Sequence, residues 1–211
     1  MARRGAAVDC NPGHRGGYKG AKMERAEEQR VIRRARRGDR RAAEALVRAH
    51  QGSLYGYMLR MTGRADVAEE VVQEAFVRAL SHLDRFDDRF RFSTWVFTIA
   101  KRLHVNAVQK KSPLFSSAAA EAGAGWSTDR PGEGVEIDER LGLVQEALMT
   151  VPEVQRAILV LFTQVGWPIR QIAQHLDLPE GTIKSHLHRT RRRVRELVEA
   201  METRVRQEAM R

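Results

Sequence analysis

From Glu24 to Lys111 the apolar positions keep helical spacing. Ala42, Ala45, Leu46, Ala49, Leu54, Tyr57, Met58 and Met61 recur at three- and four-residue steps, and Thr62-Gly63 breaks the run. Val67, Val71, Val72, Ala75, Phe76, Ala79, Leu80 and Leu83 form a second stripe. Its opposite face carries Asp66, Glu69, Glu70, Gln73, Glu74 and Arg78, the division expected of a helix lying on a core. A third helix is predicted from Ser93, a residue type suited to an N-cap, through Trp95, Ile99 and Leu103 to about Lys111. The pattern resumes at Ile137 with Leu141, Val144 and Leu148, and Pro152 suits the first turn of the next helix. Ile158, Leu161, Phe162 and Val165 extend that stripe until Gly166 stops it. Pro168 opens a short helix bearing Ile169, Ile172, Ala173 and Leu176. After the turn Asp177-Leu178-Pro179 a last helix runs from about Glu180 to the end of the chain. Strand-type alternation with turn signals is missing, so the fold expected is all-α.

The intervening segments set the domain plan. Residues 1–22 are Gly-rich and aperiodic and read as a disordered basic tail, in which Cys10 and His14 make only half a metal site. Residues 112–134 are rich in Ser, Ala and Gly with two prolines, a linker composition. The plan is a tail at 1–22, a helical bundle at 23–111, a flexible linker at 112–136 and a second small helical domain at 137–211.

Charge follows the same division. The 211 residues carry a net charge of +10. Residues 1–111 hold 24 basic and 13 acidic side chains, residues 112–140 hold 2 and 6, and residues 141–211 hold 11 and 8. Two basic blocks flanking an acidic spacer call for a polyanionic partner, nucleic acid or an anionic membrane surface. No apolar stretch is long enough to span a bilayer, and no apolar run follows the N-terminal arginines as a secretory signal requires. One cysteine excludes an internal disulfide framework and any multi-thiolate metal site. A soluble intracellular protein is expected.

The segment Pro168–Leu197 has helix-turn-helix anatomy. Ala173 is small where two helices must approach, and Ile183 and Leu187, ten and fourteen positions later, supply the apolar contacts that fix their angle. Asp177 stands at the turn, where left-handed backbone is required and Asp is among the few residues to tolerate it. Residues 180–195 hold six basic side chains and one acid. Thr182, Lys184, Ser185, His186, Arg189, Arg192 and Arg193 face outward, the arrangement by which a recognition helix meets base edges and phosphates of a duplex.

A second signal lies in the first block. Five of the chain's thirteen aromatics, Phe86, Phe90, Phe92, Trp95 and Phe97, fall within twelve residues. They interleave with Arg85, Arg89 and Arg91, and Lys101 and Arg102 follow. Rings beside cations suit unstacked single-stranded bases, although two or three of these rings belong to a core.

Together these segments resemble the extracytoplasmic-function sigma factors, small members of the sigma-70 family, bacterial RNA polymerase sigma subunits. RADVAEEVVQEAFVRAL resembles the helix that docks core RNA polymerase, FSTWVFTIAKRLHVNAVQKK the segment that melts and reads the −10 element, and residues 151–197 the −35-reading region. The resemblance implies core-polymerase binding by Glu70, Gln73 and Glu74. It implies −10 contacts by Arg91, Phe92, Trp95, Thr98, Lys101, Arg102 and Asn106, and −35 contacts by Thr182, Lys184, Ser185, His186, Arg189 and Arg192. Thr98, Arg102 and His186 stand where the family often has Arg, Asn and Arg.

The implied partners are core RNA polymerase, promoter DNA as duplex and as melted non-template strand, and an anti-sigma factor. The implied location is the cytoplasm, at the nucleoid, with no membrane insertion. The expected work is transcription initiation by binding, at a stress- or signal-responsive regulon, with no catalytic residues, metal or cofactor; no phosphate loop or His-Glu-x-x-His motif occurs in the sequence. A non-sigma helix-turn-helix regulator is the alternative, but it leaves Phe86–Lys111 and the acidic helix without a role. A membrane-surface adaptor built on the basic tail is a more distant one.

Overall fold

The computed structural model describes residues 23–109 and 135–210. Among these residues the chain forms α1 (Arg25–Arg36), α2 (Arg40–Thr62), α3 (Ala65–Ser81), a 3-10 turn (Leu83–Arg85) and α4 (Phe92–Gln109). It continues as α5 (Val135–Met149), α6 (Glu153–Thr163), α7 (Ile169–Leu176) and α8 (Glu180–Ala209), with no strand among the described residues. This is the all-α architecture expected. The tail with Cys10 and His14, the linker as far as Gly134, and Lys110–Lys111 lie outside the described residues.

Local chemistry sets the helix ends. The Asp39 carboxylate accepts from the Ala42 N–H at 3.2 Å and caps α2, satisfying a donor that the helix leaves unpaired. Gly63 ends α2 at φ 70°, its N–H reaching the Leu59 carbonyl at 2.9 Å. A Cβ added there would stand 3.4 Å from the Met149 sulfur. Pro152 and Pro168 stand in the cap positions before α6 and α7, so Pro152 lies just ahead of the first turn rather than in it. α4 departs from the Ser93 expectation. It starts at Phe92, with the Trp95 N–H bonded to the Arg91 carbonyl, and the Phe92 N–H donates instead to the carboxylate of Glu28 from α1.

Helices α1–α4 enclose a core in which Leu46, Leu54, Met58, Phe92 and Phe97 are all but fully buried. Burial of each such side chain contributes about 1.5–3 kcal/mol. α1 braces the non-helical stretch before α4 through its backbone carbonyls. Arg36 donates to Leu83 O at 2.9 Å and also to Phe86 O, and Arg25 donates to Arg89 O at 2.9 Å. These bonds give partners to the Phe86 and Arg89 carbonyls, which lie outside the helices, and a second donor to Leu83 O, which already accepts from the Phe86 N–H. Helices α5–α8 enclose Ala147, Ile158, Leu161, Ile172, Ile183 and Leu187. α8, at 30 residues about 45 Å long, is tied near its far end by Arg140 to Glu202 at 3.1 Å.

The two halves are packed together, which the linker composition did not foretell. The Phe97 ring lies between Tyr57 of α2 at 5.3 Å and Trp167, just before α7, at 4.9 Å. Arg60 of α2 donates to Gln145 Oε1 of α5 at 3.0 Å. His104 of α4 is buried 3.9 Å from Glu153 of α6.

Candidate nucleic-acid and protein interfaces

The helix-turn-helix is built as the spacing requires. Asp177 takes φ 55°, ψ 49°, the left-handed turn, and is the one non-glycine residue with positive φ among the described residues. The following N–H, of Leu178, bonds the Ala173 carbonyl at 3.1 Å. Ala173, Ile183 and Leu187 are buried together in the core. This leaves Lys184, Ser185, Arg189 and Arg192 exposed on one side of α8, with Thr182 and His186 half-buried beside them. Arg189 holds back on its own helix through Ser185 O at 3.4 Å, and Arg192 lies 3.6 Å from Glu196. Both contacts are at the surface, where water competes, so the guanidinium groups are available to phosphate at small cost.

At the start of α4 the aromatics divide. Phe86, Phe92 and Phe97 are buried, Trp95 is half-buried, and Phe90 is 48% exposed. Phe92, expected among the DNA-contacting residues, has no exposed surface: it packs beneath Trp95 at 5.9 Å and beside His50 at 5.4 Å. Trp95 is seated on Phe86 at 5.1 Å. Arg91 is also largely engaged, 3.0 Å from the buried Glu28 carboxylate and donating to Met23 O at 2.7 Å. Burial lifts the Glu28 pKa above the ordinary carboxylate value, more than the Arg91 charge and the Phe92 N–H bring it down. Burial, with Arg91 nearby, presses His50 down to about 4, so at neutral pH His50 and Glu28, 3.6 Å apart, are not an ion pair. Farther along α4, Arg102 and Asn106 are exposed and Thr98 and Lys101 half-buried. Trp95, Thr98, Lys101, Arg102 and Asn106 thus share one helix, with Phe92 and Arg91 set below its first turn. Phe90, absent from the sequence-derived set, is the most open ring of the group.

On α3, Glu70 and Gln73 are exposed and Glu74 is half-buried, 2.5 Å from Arg78. Gln73 lines a groove of about 600 Å³ between α2 and α3, with Val47, Tyr55, Val72, Phe76 and Val77. Val77 is 54% exposed, and the groove was not read from the sequence because its apolar wall is shared between two helices. Among the described residues no His, Cys, Asp and Glu group could hold a metal ion, and no helix is long and apolar enough to cross a membrane.

Comparison with known proteins finds the same two regions. Residues 46–113 match the family model for sigma-70 region 2, and residues 141–194 match that for sigma-70 region 4. The chain is 30% identical over 173 residues to the ECF RNA polymerase sigma factor SigW of Bacillus subtilis, covering 78% of this chain and 92% of that protein. It is 34% identical over 154 residues to the ECF RNA polymerase sigma factor SigL of Mycobacterium tuberculosis, covering 70% and 85%. Among solved structures it resembles CnrH, in complex with the cytosolic domain of CnrY, at TM-score 0.64, 21% identity and coverage of 82% and 97%. It also resembles the Bartonella quintana sigma factor RpoE, in complex with the anti-sigma factor NepR, at TM-score 0.58, 22% identity and coverage of 70% and 90%. The chain belongs to the extracytoplasmic-function sigma factors of the sigma-70 family.

Proposed function

We propose that the chain directs core RNA polymerase to promoters by dividing recognition between its two halves. The observation that carries this reading is the pairing of two surfaces: an exposed basic face on a helix-turn-helix, and an aromatic-basic helix α4 in a separate bundle. Lys184, Ser185, His186, Arg189 and Arg192, led by Thr182, enter the major groove of the −35 duplex. Arginine and lysine bind phosphate and guanine there, while His186 offers less to either than Arg would. Trp95, Thr98, Lys101, Arg102 and Asn106 meet the melted −10 strand, with the base stacked on rings and the phosphates held by cations. Phe92 and Arg91 serve that strand from below, by fixing Trp95 and the loop ahead of it.

Glu70, Gln73 and Glu74, beside the groove between α2 and α3, dock core polymerase. The halves proposed are residues 23–111 and 137–211, joined by the linker 112–136 and preceded by the tail 1–22. With two moderate contacts on one tether, binding the first raises the effective concentration for the second. The chain acts by binding and performs no chemistry of its own. It works in the cytoplasm at the nucleoid and is held in check by an anti-sigma factor.

Run-off transcription with bacterial core polymerase on a pool of promoter fragments tests the reading. Discrete new transcripts that depend on the protein are expected. Duplex binding with neither transcript nor core binding would assign the helix-turn-helix to an ordinary regulator.

A further inference from the structure

A carboxylate lies buried beneath the helix assigned to the melted strand. Glu28 of α1 is 1% exposed, the one acidic side chain so buried among the described residues. A carboxylate persists in such a place only where other groups offset its lost hydration. Here they arrive from beyond α1. The Phe92 N–H, the first of α4, donates to the carboxylate, and Arg91 Nε stands 3.0 Å from Oε2. Arg91 also donates to Met23 O at 2.7 Å, so the residue ahead of α4 is held to the α1 side at two points. From α2, His50 brings Nε2 to 3.6 Å from Oε1, and both of these buried atoms are without a hydrogen-bond partner. Above the carboxylate the rings follow in order. His50 lies 5.4 Å from Phe92 and Phe92 lies 5.9 Å from Trp95, while Phe86 supports the two at 5.9 Å and 5.1 Å. The Trp95 N–H closes the first turn of α4 on Arg91 O at 3.3 Å. The seat of the Trp95 ring is therefore built on groups that meet at one carboxylate. α1 itself carries none of the residues assigned above to nucleic acid or polymerase.

We propose that Glu28 is a positioning residue for strand reading: its carboxylate, delivered by α1, pins the first turn of α4 and seats the Phe92–Trp95 pair so that Trp95 receives an unstacked base. This rests on the assignment of α4 to the melted strand given above. Glu28 touches no nucleotide. It fixes in advance the backbone of residues 91 and 92 and the ring above them, so the strand meets a formed platform instead of ordering one as it binds. An isosteric amide keeps most of this arrangement, since its oxygen accepts from the Phe92 N–H and from Arg91 while its NH2 faces His50. A methyl group in that place keeps none of it.

Holoenzyme assembled from core polymerase and the full chain tests it, on the non-template strand of a promoter fragment that supports run-off transcription. 2-Aminopurine is placed at each position of the −10 stretch in turn, and its quenching by stacking is read at saturating holoenzyme beside the strand affinity. The position stacked on Trp95 is the one whose quenching Trp95→Ala abolishes. For Glu28→Ala the expected result is a loss of strand affinity of about tenfold or more, with that quenching lost as well. Affinity for core polymerase should stay within about twofold, and Glu28→Gln should restore the quenching and bring strand affinity to within about threefold of the unchanged chain. A Glu28→Ala chain that binds and quenches like the unchanged one would overturn the positioning role. So would one that loses core-polymerase affinity by the same factor, because Glu28 would then support the whole bundle alike. Glu28→Asp, which keeps the charge but falls one methylene short, carries the same test should Glu28→Ala not fold, and undiminished quenching with it is equally fatal. If the unchanged holoenzyme quenches no position, the assignment of α4 to the strand falls, and the role of Glu28 with it.

Discussion

Single residues carry much of the specification. Asp177 sits at φ 55°, which most side chains avoid because Cβ crowds the carbonyl. Asp177→Val should lower stability by about 1–2 kcal/mol in urea unfolding, whereas Asp177→Gly should leave it within about 0.5 kcal/mol. The buried histidines set the pH response. His50 is held near 4 when folded but returns to about 6.5 when unfolded. Its contribution is complete above 6.5 and is lost as the pH falls toward 4, because the unfolded chain takes up the proton first. His104, buried against Glu153 and Arg156, is lowered in the same direction. Glu28, raised by burial beside Arg91, acts with the opposite sign and moderates the slope. The expected outcome is a folding equilibrium that weakens between pH 6.5 and 4, by at most about tenfold per pH unit for His50, with His50→Gln flattening that part of the profile. At the proposed DNA face of α8, Lys184→Ala should weaken duplex binding at all sequences and reduce the salt slope by about one, measured by anisotropy across a salt series.

At the scale of elements, the sequence was most legible where one residue's own backbone decides the outcome. Gly63 ends α2 in left-handed backbone that few residues take readily, Asp177 is among those few, and the prolines before α6 and α7 mark helix starts because they carry no N–H for a preceding helix to bond. The start of α4 was less legible. Ser93 suits a cap by type, but the acceptor for the first N–H arrives from Glu28, on another helix and far away in the sequence. The aromatics show the same limit. Phe90 and Phe92 are two residues apart in one arginine-rich stretch, and only the packing of α1 and α2 decides that the first faces water and the second the core. Phe92→Ala should cost about 3–5 kcal/mol in urea unfolding, while Phe90→Ala should leave stability within about 0.5 kcal/mol.

The whole molecule was the least legible. Gln171, Thr94, His175 and Thr98 are ordinary polar residues about 77 positions apart along the chain, and nothing in their local pattern announces that they meet. Their meeting makes the whole fold depend on contacts between its halves. Gln171→Ala removes the part-buried hydrogen bond to Thr94 and should lower stability by about 1 kcal/mol in urea unfolding.

The contact between α7 and α4 also bears on how the chain comes apart. Halves that share buried contacts lose them together, and neither then melts as an independent unit. With Trp167 packed on Phe97 and Gln171 bonded to Thr94, loosening either half uncovers buried rings of the other.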